Sequence, residues 1–314
     1  MNRIKFGVFL PFYAFKAGEP FDRFRDAVLE CERLGYDSVW LDDHLMFEKR
    51  SILECWTTLS ALSALTSKIR LGTMVLCNGF RNPALLAKMA ATLDVVSNGR
   101  LEFGIGAGTQ EDEHEAYGIA FPKPHARIDR MREAVEIIKK MWTQEKTSYQ
   151  GRYYRTSGAV CEPKPVQKPH PPITIGGSGE KLTLKVAAQH ADRYDWGHVP
   201  SLELYKHKLD VLESHCKAVG RNFNEIEKSS WLGGQIFMVP DQKELEEKVG
   251  QLKPKNVSLE DFKRFNFVAT PDDCQREIRR YTSLGVTYFM LFFGDLPDVS
   301  GVRLFAKAVV ETLN

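Results

Sequence analysis

"IRLGTMVLCNGFRNPALLAKMAATLDVVSNGRLEFGIGAG", residues 69–108, carries a strand, a turn, a helix and a second strand in one run. The two strand segments, "IRLGTMVL" and "RLEFGIG", are near-continuous apolar runs. That is how parallel strands covered on both faces read, whereas strands with one face in water alternate. Between them, Asn78, Gly79 and Asn82–Pro83 are turn formers. The helix that follows has proline near its start and glycine just past its end, the usual asymmetry of helix termini.

The same alternation runs outward in both directions. Upstream, "IKFGVFL" is a strand stopped by Pro11. Phe21, Phe24, Ala27, Val28, Cys31 and Leu34 recur at spacings of three and four, as on an amphipathic helix, and Gly35 stands where it should stop. "SVWL" is the second strand and "CWTTLSALSAL" its helix. Downstream, Ile128, Met131, Val135, Ile138 and Met141 mark a long helix. "ITIGGSG", "YDWGHV", "SSWLGGQIFMV" and "TYFMLFF" supply the fifth to eighth strands, each followed by a helical segment. Thr270 and Pro271 read as the N-cap and first position of the helix before the last strand. Two stretches break the rhythm. Residues 147–170, aromatic and then proline-rich, predict an inserted hairpin and an extended connector. Residues 241–265, highly charged, predict a helical insertion. Eight strand–helix units are what a closed (β/α)₈ TIM barrel needs. An open doubly wound sheet is the alternative, and the eightfold count argues against it. The whole chain, 1–314, is expected to form one barrel domain.

Composition narrows the function. The 314 residues are 43% apolar and 27% charged with a net charge of +2, and no basic block suggests a nucleic-acid face. No apolar run reaches the length of a membrane span, and the N-terminus lacks the pattern of a signal peptide. The six cysteines (31, 55, 77, 161, 216 and 274) form no CxxC pair, and no His/Cys spacing fits zinc. The expectation is a cytoplasmic protein with reduced thiols and no metal, whose partner is a small-molecule substrate rather than a membrane or nucleic acid.

Parallel barrels place their chemistry at the C-terminal ends of the strands. "VWLDDH" (39–44) ends the second strand by putting Asp42, Asp43 and His44 at that mouth. A carboxylate beside an imidazole can fix its tautomer, so Asp43 is expected to orient His44 as a general acid or base; a capping aspartate and a surface histidine would look the same. Gly104, Gly106 and Gly108 end the fourth strand and would let a flat ligand approach the backbone. The acids Glu111, Asp112 and Glu113 that follow read as a solvated helix start. "GGSG" (176–179) links the fifth strand to a helix, a place for a phosphate, although an ordinary tight turn has the same composition. Arg81 reads as an ion-pair partner, and Phe12, Phe80 and Trp196 as packing. His114 and His198 are further candidates.

Taken in order, "GYDSVWLDDH", "IRLGTMV", "RNPALLAKMAATLDVVSNGRLEFGIGAG", "GRYY", "PKPVQKPHPPITIGG" and "HADRYDWG" resemble the bacterial luciferase-like superfamily, and within it the oxidoreductases that use the deazaflavin coenzyme F420. The resemblance is strongest over residues 4–200 and thin over 240–270. It implies a TIM barrel, usually a homodimer, with the cofactor at the strand C-termini. Asp43 and His44 match the active-site pair. Met74–Val75 matches a cis bond forming a bulge behind the ring. Ala107 and Gly108 match the ring edge, and Gly177, Ser178 and Gly179 the phosphate loop. Related barrels bind FMN as monooxygenases, and a few bind flavin without turnover; both stand as alternatives. Some deazaflavin-dependent sugar-phosphate dehydrogenases carry a tryptophan and a glutamate where this chain has Glu48 and Thr109. Their substrate does not carry over.

Overall fold

The structure is a computed structural model that describes residues 3–15, 21–47 and 50–313. Its centre is a ring of eight parallel strands: β1 (Lys5–Phe9), β2 (Ser38–Leu41), β3 (Arg70–Thr73), β4 (Leu101–Gly106), β5 (Ile173–Gly176), β6 (Arg193–Asp195), β7 (Glu227–Met238) and β8 (Val286–Phe293). Consecutive strands pair along the ring, and β1 closes on β8 through Lys5↔Tyr288 to Val8↔Leu291. Closure of the ring decides for the barrel over the open sheet.

The lumen is filled from the strands' inward side chains. Trp40 is fully buried there with Phe9, Tyr288 and Met290. Its indole needs two glycines: a Cβ on Gly7 would stand 2.6 Å from Trp40 Nε1, and one on Gly72 2.3 Å from Trp40 Cε3. Beneath it lies a buried ionic layer. Arg193 donates to Glu102 at 2.8 Å and reaches Glu227 at 2.7 Å, with its guanidinium 3.9 Å from the centre of the Tyr288 ring. Burial alone would depress that guanidinium, but Glu102, Tyr288 and Glu227 outweigh it and hold it above its ordinary range. This charge, pinned by two carboxylates, is buried near the N-terminal ends of β4, β6 and β7.

Local chemistry sets the helix starts. The Asn82 side chain accepts from the Ala84 and Leu85 amides at 3.0 and 3.3 Å, opening the helix Pro83–Val96. Thr270 and Asp273 form a reciprocal capping box at Pro271–Thr282.

Three expectations need correction. β6 lies at Arg193–Asp195, before Trp196 rather than through it, because Gly197 (φ +73°) turns the chain out of the sheet. The third strand, read as one run, is split into β3 and Leu76–Cys77, which pairs with β4, while the Met74–Val75 bond between them is cis as the resemblance implied. The 241–265 insertion has the expected helices, Gln242–Leu252 and Leu259–Lys263, but Asn266–Ala269 then adds a parallel strand to β7. A register shift between Trp231 and Gln235, with Gly233 and Gly234 at φ +70° and +81°, prepares the β7 edge for it. The other insertion is the antiparallel hairpin Thr147–Gln150 with Arg155–Ala159. Among the described residues no helix is long and apolar enough to cross a membrane.

Candidate active site

A cavity of about 380 Å³ opens at the C-terminal mouth of β2 to β5. Asp43 and His44 line it from the loop after β2, Met74 and Val75 from the interruption of β3, Ala107 and Gly108 from the loop after β4, and Gly177, Ser178 and Gly179 from the loop after β5. The structure thus brings to one pocket all nine residues that the family resemblance assigns to the site. Its size falls within the range of small-molecule and cofactor sites.

The partnership at its catalytic end differs from the expected one. His44 Nδ1 lies 3.1 Å from Glu113 Oε1, and the second oxygen of Glu113 accepts the Leu45 amide at 3.0 Å. Glu113 is only 2% exposed, so it is not a solvated helix acid. Asp43 points elsewhere. It accepts from both arms of Arg81, at 2.7 and 2.9 Å, and from the Cys77 amide at 2.8 Å. Asp43 therefore does not orient His44. It ties the end of β2 to the segment that resumes after the Met74–Val75 interruption. The reason is geometric: consecutive side chains leaving a strand point to opposite sides. Burial would depress Arg81, but Asp43 and Glu54 more than compensate and raise it.

Asp42 lies beside them, 3% exposed. Its Oδ1 accepts from the Phe12 amide at 3.0 Å, while Oδ2 has no partner among the described residues. Burial pushes its carboxyl up to about 6, with Phe12 and His44 opposing and Asp43 reinforcing the rise.

The glycines also make room for the wall of the cavity. A Cβ on Gly104 would meet the Thr73 carbonyl oxygen at 2.0 Å, one on Gly106 would meet Val75 Cγ2 at 2.7 Å, and one on Gly176 would meet Val75 Cγ1 at 2.8 Å. A Cβ on Gly108, which sits at φ +81°, would meet Cys77 Sγ at 2.6 Å. Their missing side chains are occupied by the β3 interruption, which seats the Val75 isopropyl group between the ends of β4 and β5.

In the glycine loop, the Gly177 amide is already donated to the Asp195 carbonyl at 3.1 Å. That leaves Ser178 and Gly179 to supply backbone donors to a ligand. Arg127 also lines this cavity. Its guanidinium stacks 3.8 Å from the Phe121 ring centre and donates to the Pro122 carbonyl at 2.7 Å, and its Nε is buried without a partner among the described residues. A cation whose Nε has no partner among the described residues, in a cavity that the glycine loop also lines, suits an anionic group.

Glu113 and Arg127 are what sequence reasoning missed. One of three successive acids faces inward, and one of several basic residues on the Pro124–Thr143 helix faces the cavity; composition does not distinguish either from its neighbours. The remaining candidates fall away. His114 packs between Phe80 and Phe121, its ring 4.9 and 4.8 Å from theirs, with Nδ1 2.6 Å from the Gln110 carbonyl. His198 meets the Arg264 carbonyl. Phe12 and Trp196 are buried packing residues. Glu48 lies outside the described residues.

The family model for luciferase-like monooxygenases matches residues 4–255. An F420-dependent glucose-6-phosphate dehydrogenase of Microbacterium testaceum is 28% identical over 310 residues, covering 90% of each chain. A solved F420-dependent secondary alcohol dehydrogenase, in complex with an F420–acetone adduct, superposes with a TM-score of 0.81 over 98% of each chain at 23% identity. The monooxygenase RslO1 of Streptomyces bottropensis superposes with a TM-score of 0.78 over 99% of this chain and 100% of that one at 24% identity. At such identities the two superpositions speak for the fold alone.

Proposed function

The chain belongs to the luciferase-like monooxygenase family, and from that premise we propose that it is a coenzyme F420-dependent oxidoreductase, moving hydride between the deazaflavin and a small organic substrate. The observation that carries this reading is the shared cavity, which the His44–Glu113 pair, the Ser178–Gly179 loop and Arg127 all line. The relative similar along 90% of its length is named as an F420 enzyme, which supports the same cofactor.

The residues present fit the group. Met74 and Val75 give the cavity an apolar wall for a ring system, and Arg127 Nε, without a partner among the described residues, suits its phosphate. When bound, the deazaflavin supplies a two-electron carrier that accepts or returns hydride. The protein does the rest. Glu113 holds His44 Nδ1, which leaves Nε2 to take the proton of a substrate hydroxyl or give it back. Asp43 and Arg81 keep the Met74–Val75 wall in place, and Ser178, Gly179 and Arg127 anchor the anionic end.

The chain is further proposed to work as a single domain, which the direct pairing of its first and last barrel strands favours. A homodimer in the cytoplasm accords with the family resemblance, and the six unpaired, buried cysteines suit a reducing compartment.

Equilibrium titration of the purified protein with F420 and with FMN, followed by turnover with and without oxygen, tests the reading. F420 is expected to bind and cycle without consuming oxygen. FMN binding with oxygen consumption, and no F420 binding, would make the protein a monooxygenase instead.

A further inference from the structure

The loop after β5 is gripped through its carbonyls, each of which accepts from the protein. The Tyr194 hydroxyl donates to the Gly177 carbonyl. Lys208 Nζ donates to the Ser178 carbonyl at 3.3 Å. The Gly179 carbonyl accepts the Leu184 amide at 3.1 Å, at the start of the helix Thr183–His190. His215 Nε2 lies 2.8 Å from the Glu180 carbonyl; a carbonyl can only accept, so that nitrogen carries the proton. The first two contacts fix more than the oxygens they hold. The Gly177–Ser178 and Ser178–Gly179 peptides are trans, and a planar trans peptide points its C=O and N–H in opposite directions. Drawing the Gly177 oxygen toward Tyr194 sends the Ser178 N–H the other way. Drawing the Ser178 oxygen toward Lys208 does the same to the Gly179 N–H. Ser178 and Gly179 line the cavity, whereas Tyr194 and Lys208 do not.

Both side chains are held firmly enough to set those directions. Tyr194 is fully buried in β6, its ring edge-on to Trp196 at 4.5 Å, and Trp196 packs on Tyr205 at 5.0 Å. Burial, with Asp195 reinforcing it, keeps the phenol well above its ordinary range, so the hydroxyl retains the proton it donates. Lys208 is 9% exposed, and lysine is almost never buried without a partner. Its partner besides the Ser178 carbonyl is Glu180, with Oε1 at 3.5 Å, and Glu180 Oε2 lies 3.3 Å from His207 Nε2. Lys208 and His215 stand seven residues apart, two turns along one face of the helix Leu202–Ala218. That helix therefore holds the loop at two points, the Ser178 and Glu180 carbonyls, and Lys208 adds positive charge beside it.

Resting on the F420 reading above, we infer that Tyr194 and Lys208 are positioning residues for the cofactor's phosphate. They act through the Ser178 and Gly179 amides, which their contacts with the two carbonyls aim into the cavity. Arg127, from the facing helix, meets the same anion with its unpaired charge-bearing group.

The test compares two ligands that share a ring and differ in the anion. Tyr194→Phe removes one hydroxyl and keeps the ring against Trp196. Lys208→Met removes the ammonium and keeps the length of the side chain. Each variant and the unaltered protein are titrated with F420 and with phosphate-free deazariboflavin, and thermal unfolding is followed for all three. F420 binding is expected to weaken about tenfold in each variant, while affinity for deazariboflavin stays within about twofold. A general loosening of the barrel mouth would weaken both ligands alike, so equal losses overturn the inference. F420 affinity unchanged by either substitution overturns it too. Tyr194→Phe, the milder change, keeps the test readable if Lys208→Met fails to fold. Failure of the F420 reading shows separately, as an unaltered protein that binds FMN and not F420. The comparison is then made with FMN against riboflavin, with the same expectations. An unaltered protein that holds neither phosphate-bearing ligand more tightly than its phosphate-free form also overturns the inference.

Discussion

Replacing Glu113 with glutamine preserves its size and its acceptor for the Leu45 amide but removes the charge facing His44 Nδ1. Such a change should lower kcat roughly 10- to 100-fold, with F420 affinity retained. Asp43→Asn should behave differently. It strands a half of the Arg81 ion pair, so it should cost about 3 kcal/mol of stability by denaturant titration and weaken F420 binding through the loosened β3 segment. If the two variants exchanged these phenotypes, the assignment of partners would be wrong. Asp42 supplies a test by pH. Its folded carboxyl titrates near 6, above the ordinary value of 3.8, so the folded state binds more protons than the unfolded state between those values. Stability contributed by neutral Asp42 is therefore present at low pH and lost as pH rises through 6. Asp42→Asn, which keeps an oxygen for the Phe12 amide, should stabilise the protein at pH 7–8 by no more than about 3 kcal/mol, with the gain shrinking below pH 5. Thermal unfolding of both proteins across pH 4–8 checks this, and a gain that is constant with pH would refute it. At this scale the sequence was only half legible. The position of His44 at the mouth follows from where β2 ends. Its partner does not, because Asp43 is adjacent in sequence but points away, and Glu113 arrives from 69 residues downstream.

Strands and helices were the most legible level. Eight apolar runs separated by capped helices give the ring, and Thr270 with Asp273 forms the cap its sequence implies. What escaped was the short strand Asn266–Ala269, four residues whose partner edge exists only because β7 bends at Gly233–Gly234. The glycines of β4 were read as places of close approach for a flat ligand, and the structure adds a protein neighbour that the sequence does not show for them or for Gly176 of β5. Their neighbour is Val75, and this makes a prediction for the element. Gly106→Ala should destabilise the protein by about 1–3 kcal/mol and weaken F420 binding, since its methyl would stand 2.7 Å from Val75 Cγ2. Val75→Ala in the same chain should restore much of the stability. A double variant no more stable than Gly106→Ala alone, measured by thermal denaturation, would show that the two side chains do not compete for that space.

On the scale of the whole molecule, ring closure turns separate motifs into one site. Residues 43–44, 74–75, 107–108 and 177–179 are scattered in sequence, yet parallel strands deliver each to the same end of the barrel. The Arg193 layer is buried near the N-terminal ends of β4, β6 and β7. In the proposed function one elongated anionic ligand spans this cavity, ring at Met74–Val75 and phosphate at Ser178–Gly179 and Arg127. The most direct measurement is a crystal structure of the protein with F420. Density is expected for the deazaflavin ring against Met74 and Val75, within reach of His44, and for the phosphate at the glycine loop and Arg127. A cofactor bound elsewhere, or reversed with its phosphate beside His44, would contradict it.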